Sequence, residues 1–317
     1  VSYAPLIENA AHGKDHLLVL KNDSVYGRTN YYVLKMFSEN RPDVNLHTDL
    51  KPASPEPVFR TNGFIGLGTN NTEAQFKDLK VIVNGEEIYT SGWSDFVDKW
   101  TIIRGDWKTE GNLLSQSQKG IDALAILEDR EFDDCTIELK AKKISGTEGF
   151  RIVFGGTDSN NYFMADIGSH TNESVIFREV NNEGSISLFD YRNTASIKTD
   201  QWYTVRIEIE GAHWKCFLND ELQYEYTYAP KKKHYVVSGY DRERKEVIVK
   251  LVNAEAGNWK VRLQLDKAKN LASKGTKIVL GADDRFDENS FSDPLKIVPK
   301  VTELSGISNE FTIDCQA

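Results

Sequence analysis

Apolar and polar residues follow one pattern in the first forty residues and another afterwards. The apolar run at residues 17–20 predicts a strand buried on both faces. Residues 30–40 place apolar side chains at near-helical spacing, which predicts a helix with Thr29 as its N-cap and Pro42 beyond its end. Strand, loop and helix in this order predict one βα unit, which has to dock on other structure because it cannot form a core alone.

From residue 63 to residue 228 the pattern changes to period two. At residues 205–210, for example, apolar and charged side chains alternate, which is typical of a strand with one buried and one wet face. The pair Asn84 and Gly85 is a strong hairpin signal. Many short strands with regular turns and no intervening helix predict a β-sandwich or jelly roll. Besides strands within residues 64–83, we expect strands at residues 124–127, 135–141, 149–154, 162–167, 174–180, 185–191, 202–209 and 214–218.

A second all-β block follows from residue 235, with strands expected at residues 246–252, 259–265 and 277–280. A proline-rich stretch separates the opening βα unit from the first β block and predicts an extended, stiff linker. The sequence therefore predicts four parts: the βα unit at 1–47, the linker at 48–62, a sandwich at 63–229 and a second sandwich at 230–317.

Composition narrows the classes of partner. The 317 residues carry a formal net charge of −9, which disfavours binding to nucleic acid or to an anionic membrane surface. No apolar run approaches the roughly 18 residues that a membrane helix needs. Residues 1–6 lack the basic and apolar segments of a signal peptide. Of the three cysteines, we expect Cys135 and Cys216 to be two free buried thiols, with a bridge between them as the alternative.

Several motifs resemble parts of one enzyme family. SYAPL at residues 2–6, VYGRTNYYV at 25–33 and FSENR at 37–41 resemble the last βα unit of the barrel in family 51 α-L-arabinofuranosidases. GFIGLGT at 63–69, FKDLKV at 76–81, GDW at 105–107, FDDCT at 132–136, KISGTEGF at 143–150 and WYTVR at 202–206 resemble a laminin-G-like module inserted in longer bacterial members. VIVKLVNA at 247–254 and DENSFSDP at 287–294 are similar to the carboxy-terminal β-sandwich of these enzymes, and residues 311–315 to the start of its final hairpin.

The resemblance implies a mainly β fold. It consists of a concanavalin- or laminin-G-like jelly-roll sandwich, a second smaller antiparallel β-sandwich, and a short N-terminal βα remnant of a (β/α)8 barrel. It also implies an extracellular or periplasmic retaining glycoside hydrolase that acts on arabinose side chains of plant polysaccharide. The family's two catalytic glutamates lie on earlier barrel strands, and no position here matches them. The expected partners are thus a polysaccharide or oligosaccharide and the catalytic barrel of a parent chain.

The sequence contains no recognisable active site of its own. Retaining glycosidases need two carboxyl groups about 5–5.5 Å apart. Glu208 and Glu210 share one face of a predicted strand, where solvated carboxylates are the ordinary case. His12 and His16 lack the glutamate of a zinc protease motif, and no serine lies in a nucleophile elbow. We therefore expect this chain alone to be inactive, as an accessory region or, alternatively, as a free-standing lectin-like module.

A sugar-binding rim is the remaining candidate site. Sugars bind to aromatic faces, with amides and charged groups taking the hydroxyls. The turn-rich segments around residues 158–163 and 168–172 predict such a rim, and its side chains should be dispensable for folding. The candidate ligand-binding residues are Arg151, Tyr162, Asp166, His170 and Asn172. Trp107, Trp202 and Trp214 are expected in the core.

No cofactor is expected, with calcium as the one alternative. Lectin-like sandwiches often hold this ion through carboxylates and backbone carbonyls. No loop here has EF-hand spacing, so the prediction depends only on available acidic side chains. The candidates are Asp78, Asp95, Asp98, Asp133 and Asp134.

Overall fold

The computed structural model describes residues 6–9, 11, 16–53, 58–182, 184–188, 196–255, 257–284 and 286–315. Contacts divide the chain into two compact units, residues 1–55 with 231–317, and residues 56–230. They are called here the terminal unit and the central unit. Most of the SYAPL motif, His12, two of the linker prolines and the expected end of the strand at 185–191 lie outside the described residues.

The elements are predominantly strands. Those of the terminal unit that precede the central unit are β1 (Ile7–Asn9), β2 (Leu18–Lys21), β3 (Ser24–Gly27), helix α1 (Thr29–Glu39) and β4 (Val44–Leu46). The central unit contains β5 (Asn62–Asn70), β6 (Thr72–Val83), β7 (Glu86–Ser91), helix α2 (Phe96–Lys99), β8 (Trp100–Arg104), β9 (Trp107–Glu110), β10 (Leu113–Gln116), β11 (Asp122–Asp133), β12 (Thr136–Gly146), β13 (Phe150–Asp158), β14 (Asn161–Gly168), β15 (Ser174–Asn181), β16 (Gly184–Leu188), β17 (Trp202–Glu210), β18 (His213–Leu218) and β19 (Glu221–Thr227). The terminal unit then resumes with β20 (His234–Asp241), β21 (Glu246–Asn253), β22 (Trp259–Gln264), β23 (Lys274–Val279), β24 (Lys300–Ser305) and β25 (Glu310–Cys315).

The central unit is an antiparallel β-sandwich, as the period-two pattern predicts. One sheet has seven strands in the order β16-β15-β14-β13-β5-β11-β8. The other has eight, in the order β19-β18-β17-β12-β6-β10-β9, with β7 also paired to β6. Phe76 and Ile137 from the eight-stranded sheet lie in one buried cluster with Ile152 and Phe154 from the seven-stranded sheet. The two sheets therefore share a single core.

The turn between β6 and β7 has the backbone geometry that its two residues predict. Asn84 and Gly85 have φ angles of 52° and 83° between the paired strands β6 and β7. Positive φ at both central residues is the requirement of a type I′ hairpin turn, and asparagine and glycine adopt it at little steric cost. The hairpin prediction is confirmed.

The opening segment of the terminal unit differs from its prediction in two ways. The strand at residues 17–20 exists, but it is not buried on both faces, since Leu20 is 39 % exposed. The expected loop after it contains a strand, because β3 folds back on β2 as a hairpin. The segment is therefore a three-stranded sheet, with β1 parallel to β2, followed by α1.

Helix α1 begins one residue earlier than expected. Thr29 is its first helical residue and not its N-cap, because the carbonyl of Arg28 already accepts the amide hydrogens of Tyr31 and Tyr32. Asn40 ends the helix, where both its backbone amide and its side-chain amide donate to the carbonyl of Met36. No residue of α1 is buried in this structure.

The two sequence-distant parts of the terminal unit are bound to each other. Strand β4 pairs with β20 and so joins the β20–β21 hairpin. The side chain of Asn289, 2 % exposed, donates to the carbonyls of Gly27 and Ile297 at 2.8 and 2.9 Å. Arg28 forms an ion pair of 2.8 Å with Glu288. Residues 311–315, expected as the start of a hairpin, lie in β25 and pair with β22.

Trp107 and Trp214 lie in the core as predicted, at 6 % and 0 % exposure. Trp202 does not. It immediately precedes buried Tyr203 on β17, and since side chains of a strand alternate between its two faces, Trp202 points outward. Cys135 and Cys216 are free thiols buried in the core, so the free-thiol prediction is confirmed.

We predict that Ile207→Ala destabilises the central unit. Ile207 is 0 % exposed between β12 and β18, so truncation leaves a cavity that costs about 2–5 kcal/mol of unfolding free energy. Urea denaturation followed by circular dichroism measures the loss. Ile88→Ala is the matched control, since Ile88 is 42 % exposed and its truncation should change stability by no more than about 0.5 kcal/mol. Equal effects of the two variants would contradict the assigned core.

Candidate functional site

The outer face of the seven-stranded sheet carries a buried charge network. Asp166 on β14 lies directly opposite Arg151 on β13, and its side chain is 2 % exposed. One carboxylate oxygen accepts from Nε of Arg151 at 3.2 Å, and the other accepts from Nε of Arg178 at 2.6 Å. Arg151 also forms a 2.6 Å ion pair with Asp122, and Arg178 donates to the hydroxyl of Ser169 at 2.9 Å.

Electrostatics keep this network charged. Burial by itself would raise the pKa of Asp166, but the attraction and hydrogen bonds of Arg151 and Arg178 outweigh it and lower the pKa. Burial likewise opposes the charge of Arg151, and the nearby Asp166 and Asp122 carboxylates reverse the effect and raise its pKa. The network is therefore a set of paired charges with the lone pairs of Asp166 largely committed to arginine.

Tyr162 is not at an exposed rim, contrary to expectation. It is 8 % exposed and packs in a second apolar cluster on the same outer face. The phenol hydrogen bonds with Arg104 on β8, and burial raises the pKa of Tyr162. Tyr162 faces outward because it alternates with inward-facing Phe163, and neighbouring side chains cover it there. The other members of this cluster are Phe64, Leu124, Ile126, Val153 and Met164.

His170 and Asn172 lie in the turn between β14 and β15. His170, Thr171 and Asn172 have consecutive φ angles of 51°, 61° and 70°, a left-handed stretch that costs steric energy in residues other than glycine. Asn172 holds this turn in place, since its amide donates to the carbonyl of Ile197 and its carbonyl accepts from the Ile197 amide. His170 Nδ1 lies 3.0 Å from the hydroxyl of Ser174.

The structure thus brings together only part of the predicted rim. Arg151 and Asp166 are in direct contact, Tyr162 lies on the same sheet face, and His170 and Asn172 occupy the adjoining turn. Sequence reasoning missed Arg178, which completes the network. The alternation along β15 would have placed Arg178 outward, but its pairing with Asp166 depends on the register between strands, which the sequence pattern does not reveal.

The carboxylates tested for catalysis serve other partners. Glu208 forms ion pairs with Arg206 and Lys215, and exposed Glu210 lies two residues further along the same outward face. Among the calcium candidates, Asp78 pairs with Lys140, Asp95 with Lys99, and Asp134 with Arg60. Within the described ranges, no group of three or more His, Cys, Asp or Glu side chains could hold a metal ion.

We predict that Asp166→Asn destabilises the central unit by about 3 kcal/mol, because it removes the carboxylate charge that the largely buried Arg151 and Arg178 share. Denaturant titration at pH 7 measures the loss. Asp122→Asn, at a side chain 59 % exposed, should cost less than about 1 kcal/mol.

The same pair of variants makes a pH prediction. The pKa of Asp166 is lower in the folded state than its ordinary value of about 3.9, so its stabilising contribution is present above that value. The contribution is lost as the pH falls through the folded-state pKa. The stability gap between wild type and Asp166→Asn should therefore shrink in acid, and a gap that stays constant down to pH 2 would show that the charge of Asp166 is not its source.

Among the described residues, no helix is both long and apolar enough to cross a membrane. The sequence is 25 % identical over 317 residues to an extracellular exo-alpha-L-arabinofuranosidase of Streptomyces chartreusis. That alignment covers 98 % of this chain and 38 % of the relative, so the chain spans well under half of the length of that protein. No solved structure matches. The family model of the alpha-L-arabinofuranosidase C-terminal domain matches residues 1–317, and the chain belongs to that family.

Proposed function

We propose that this chain is the non-catalytic accessory region of a longer, secreted α-L-arabinofuranosidase that acts on arabinose-containing plant polysaccharide. Family membership and the extracellular relative support this assignment. In this proposal the hydrolytic carboxylates belong to a catalytic portion outside these 317 residues, and the terminal unit provides the surface that contacts it. The expected location is extracellular or periplasmic.

The observation that carries the proposal is the apolar surface of the terminal unit. The central unit holds nearly all of the buried apolar side chains among the described residues, whereas the terminal unit buries only Leu17, Val19, Val261 and Ile297. Large apolar side chains are instead exposed on it. Val33 and Phe37 on α1 are 41 % and 42 % exposed, and Leu295 and Val301 are 65 % and 66 % exposed.

Of these exposed side chains, Leu295 and Val301 line a depression. Its volume is about 440 Å³, and it lies between α1 and the carboxy-terminal segments of the terminal unit. Tyr32 and Met36 line it from the helix, and Leu295, Pro299 and Val301 line it from the other side. A depression lined largely by apolar side chains, with Lys35, Glu39 and Asn40 along the helix side, is the kind of surface that another folded segment covers.

The small size of the sheets in the terminal unit also favours a surface that another segment covers. Besides α1, the described part of the terminal unit contains two three-stranded and two two-stranded sheets. Two-stranded sheets are marginal in water unless they pack against something else. The opening βα segment is tied to the carboxy-terminal strands through Asn289, Arg28 and β4, so it belongs to the same surface. We assign this surface to the catalytic barrel of the parent enzyme.

The sugar contact predicted at the seven-stranded sheet remains part of the proposal. Arg151, Tyr162, Asp166, His170 and Asn172 would act as one edge, with the His170 turn as its accessible part and the arginine network as its support. Calcium would have to displace lysine or arginine partners from Asp78, Asp95 and Asp134. The proposal therefore includes no metal.

We predict that the purified chain releases no arabinose from 4-nitrophenyl α-L-arabinofuranoside. Glu208 is held in ion pairs with Arg206 and Lys215, and its neighbour Glu210 is exposed on the open face of the same strand, which is not the arrangement of an acid and a nucleophile around a bound sugar. Release of nitrophenol is followed by absorbance. Activity that persists through repeated purification, and that Glu208→Gln and Glu210→Gln abolish, would refute the non-catalytic assignment.

We predict that Val33→Glu leaves the stability of the isolated chain unchanged but destabilises the longer arabinofuranosidase that the proposal requires. In the longer protein Val33 would be buried against the barrel, and its loss would cost about 1.5–3 kcal/mol. Thermal unfolding of both proteins measures the difference.

Val97→Glu is the matched control, since Val97 is 86 % exposed on the central unit and should be neutral in both proteins. Two results would contradict the docking assignment. One is a neutral Val33→Glu in the longer protein. The other is a stable dimer of the isolated chain, seen by sedimentation, that Val33→Glu dissociates.

A further inference from the structure

Trp202 lies on the outer face of the eight-stranded sheet, at the start of β17. It is partly exposed, whereas Tyr203 and Val205 on the same strand point into the core. An aromatic ring of this size on the wet face of a sheet leaves apolar area exposed to water. Such a position is a common choice for a side chain that meets a partner.

Two ammonium groups lie over this ring. Nζ of Lys77 is 4.5 Å from the ring centroid, and Nζ of Lys142 is 5.1 Å from it. Both distances are within the range of cation–π attraction. Within the described residues, neither lysine has a carboxylate at ion-pair distance. The indole therefore holds two cations close together without neutralising them.

The strand register concentrates positive charge further. Lys77 on β6 is the direct cross-strand partner of Lys140 on β12. Like charges directly opposite each other destabilise an antiparallel pair. Asp78 neutralises Lys140 at 3.4 Å, which leaves Lys77 and Lys142 as the uncompensated pair. An acidic protein of net charge −9 thus keeps a small basic patch at the expense of sheet stability.

Other lysines on the same face do have carboxylate partners. Lys80, three residues beyond Lys77 on β6, hydrogen bonds with Glu87 at 2.5 Å. Lys215 on β18 pairs with Glu208. A purely solvated face would give Lys77 and Lys142 similar carboxylate neighbours, of which this chain has many. The contrast points to an anion supplied from outside.

Polar side chains continue the row from Trp202 across the sheet. The register places Lys142 opposite Trp202, Gln75 opposite Lys142, and Ser115 opposite Gln75. Strands in a sheet are about 4.8 Å apart, so this row offers an amide and a hydroxyl within roughly 15 Å of the ring. Amides and hydroxyls beside an aromatic ring are the groups that bind sugar hydroxyls.

We propose that this row is a binding platform for a polysaccharide that carries uronic acid residues. Lys77 and Lys142 bind the sugar carboxylate, and the indole of Trp202 contacts the apolar face of the sugar ring. Gln75 and Ser115 form hydrogen bonds with hydroxyl groups of the adjacent sugars. The platform lies entirely on the central unit and does not depend on the docking surface of the terminal unit.

The test is affinity electrophoresis of the 317-residue chain in gels that contain glucuronoxylan or polygalacturonate. The matched ligand is the same polymer with its carboxyl groups reduced to alcohols. We expect the acidic polymers to retard the chain and the reduced polymers to bind at least tenfold more weakly. The affinity for the acidic polymers should also decrease as NaCl rises from about 20 to about 500 mM, because salt screens exposed charges.

The double variant Lys77→Gln/Lys142→Gln should weaken binding at least tenfold, and Trp202→Ala should do the same. Lys80→Gln is the control, since it removes the same charge from the same strand and should bind like wild type. Circular dichroism confirms that each variant is folded, and the lysine variant keeps the test valid if Trp202→Ala unfolds.

Three results would overturn the proposal. They are equal retardation by acidic and reduced polymers, unchanged binding in the folded lysine variant, and no retardation by either acidic polymer. Stronger competition by inorganic polyphosphate than by galacturonate oligomers would assign the patch to phosphate and would also overturn it.

Discussion

The apolar core between the two sheets of the central unit is the interaction on which the rest of the structure depends. Phe76, Ile137, Ile152 and Phe154 are at 0 % exposure within it, and each strand that contributes to it must keep alternate residues inward. A slip of one residue would expose the whole inward set. This constraint fixes the register, and the register decides which polar side chains meet on the two outer faces. The arginine network around Asp166 and the lysine pair at Trp202 both follow from it.

The terminal unit is built under a weaker constraint. It buries few apolar side chains among the described residues, its sheets are small, and its helix has no buried residue. Polar links such as the Asn289 bridge and the Arg28–Glu288 pair hold its two distant segments together. Hydrogen bonds of this kind contribute about 1 kcal/mol each, far less than a core does. The unit thus leaves apolar side chains exposed, in keeping with the proposed contact to another part of a longer enzyme, and the relative that the chain matches is much longer than the chain.

Sequence reasoning succeeded where a local pattern determines the outcome. The Asn84–Gly85 turn and the alternation around Ile207 fixed a hairpin and a buried strand without further information. It failed where the outcome depends on strand pairing. Tyr162 was expected at an exposed rim although side chains from β5, β11 and β13 cover it. Trp202 was wrongly expected in the core for a different reason, because the alternation along β17 alone already points it outward. The contact of Arg178 with Asp166 needs the register of β14 and β15, which no single strand encodes.

Hydrogen exchange compares the two units most directly. In the isolated chain, we expect amides of β6 and β12 to exchange only through global opening, because their strands flank the core. Amides of α1 and of the β22–β25 pair should exchange orders of magnitude faster, and their protection should rise in a longer arabinofuranosidase that contains this region. Equal protection of both units in the isolated chain, with no increase in the longer protein, would contradict the view that the terminal unit is completed by another part of the enzyme.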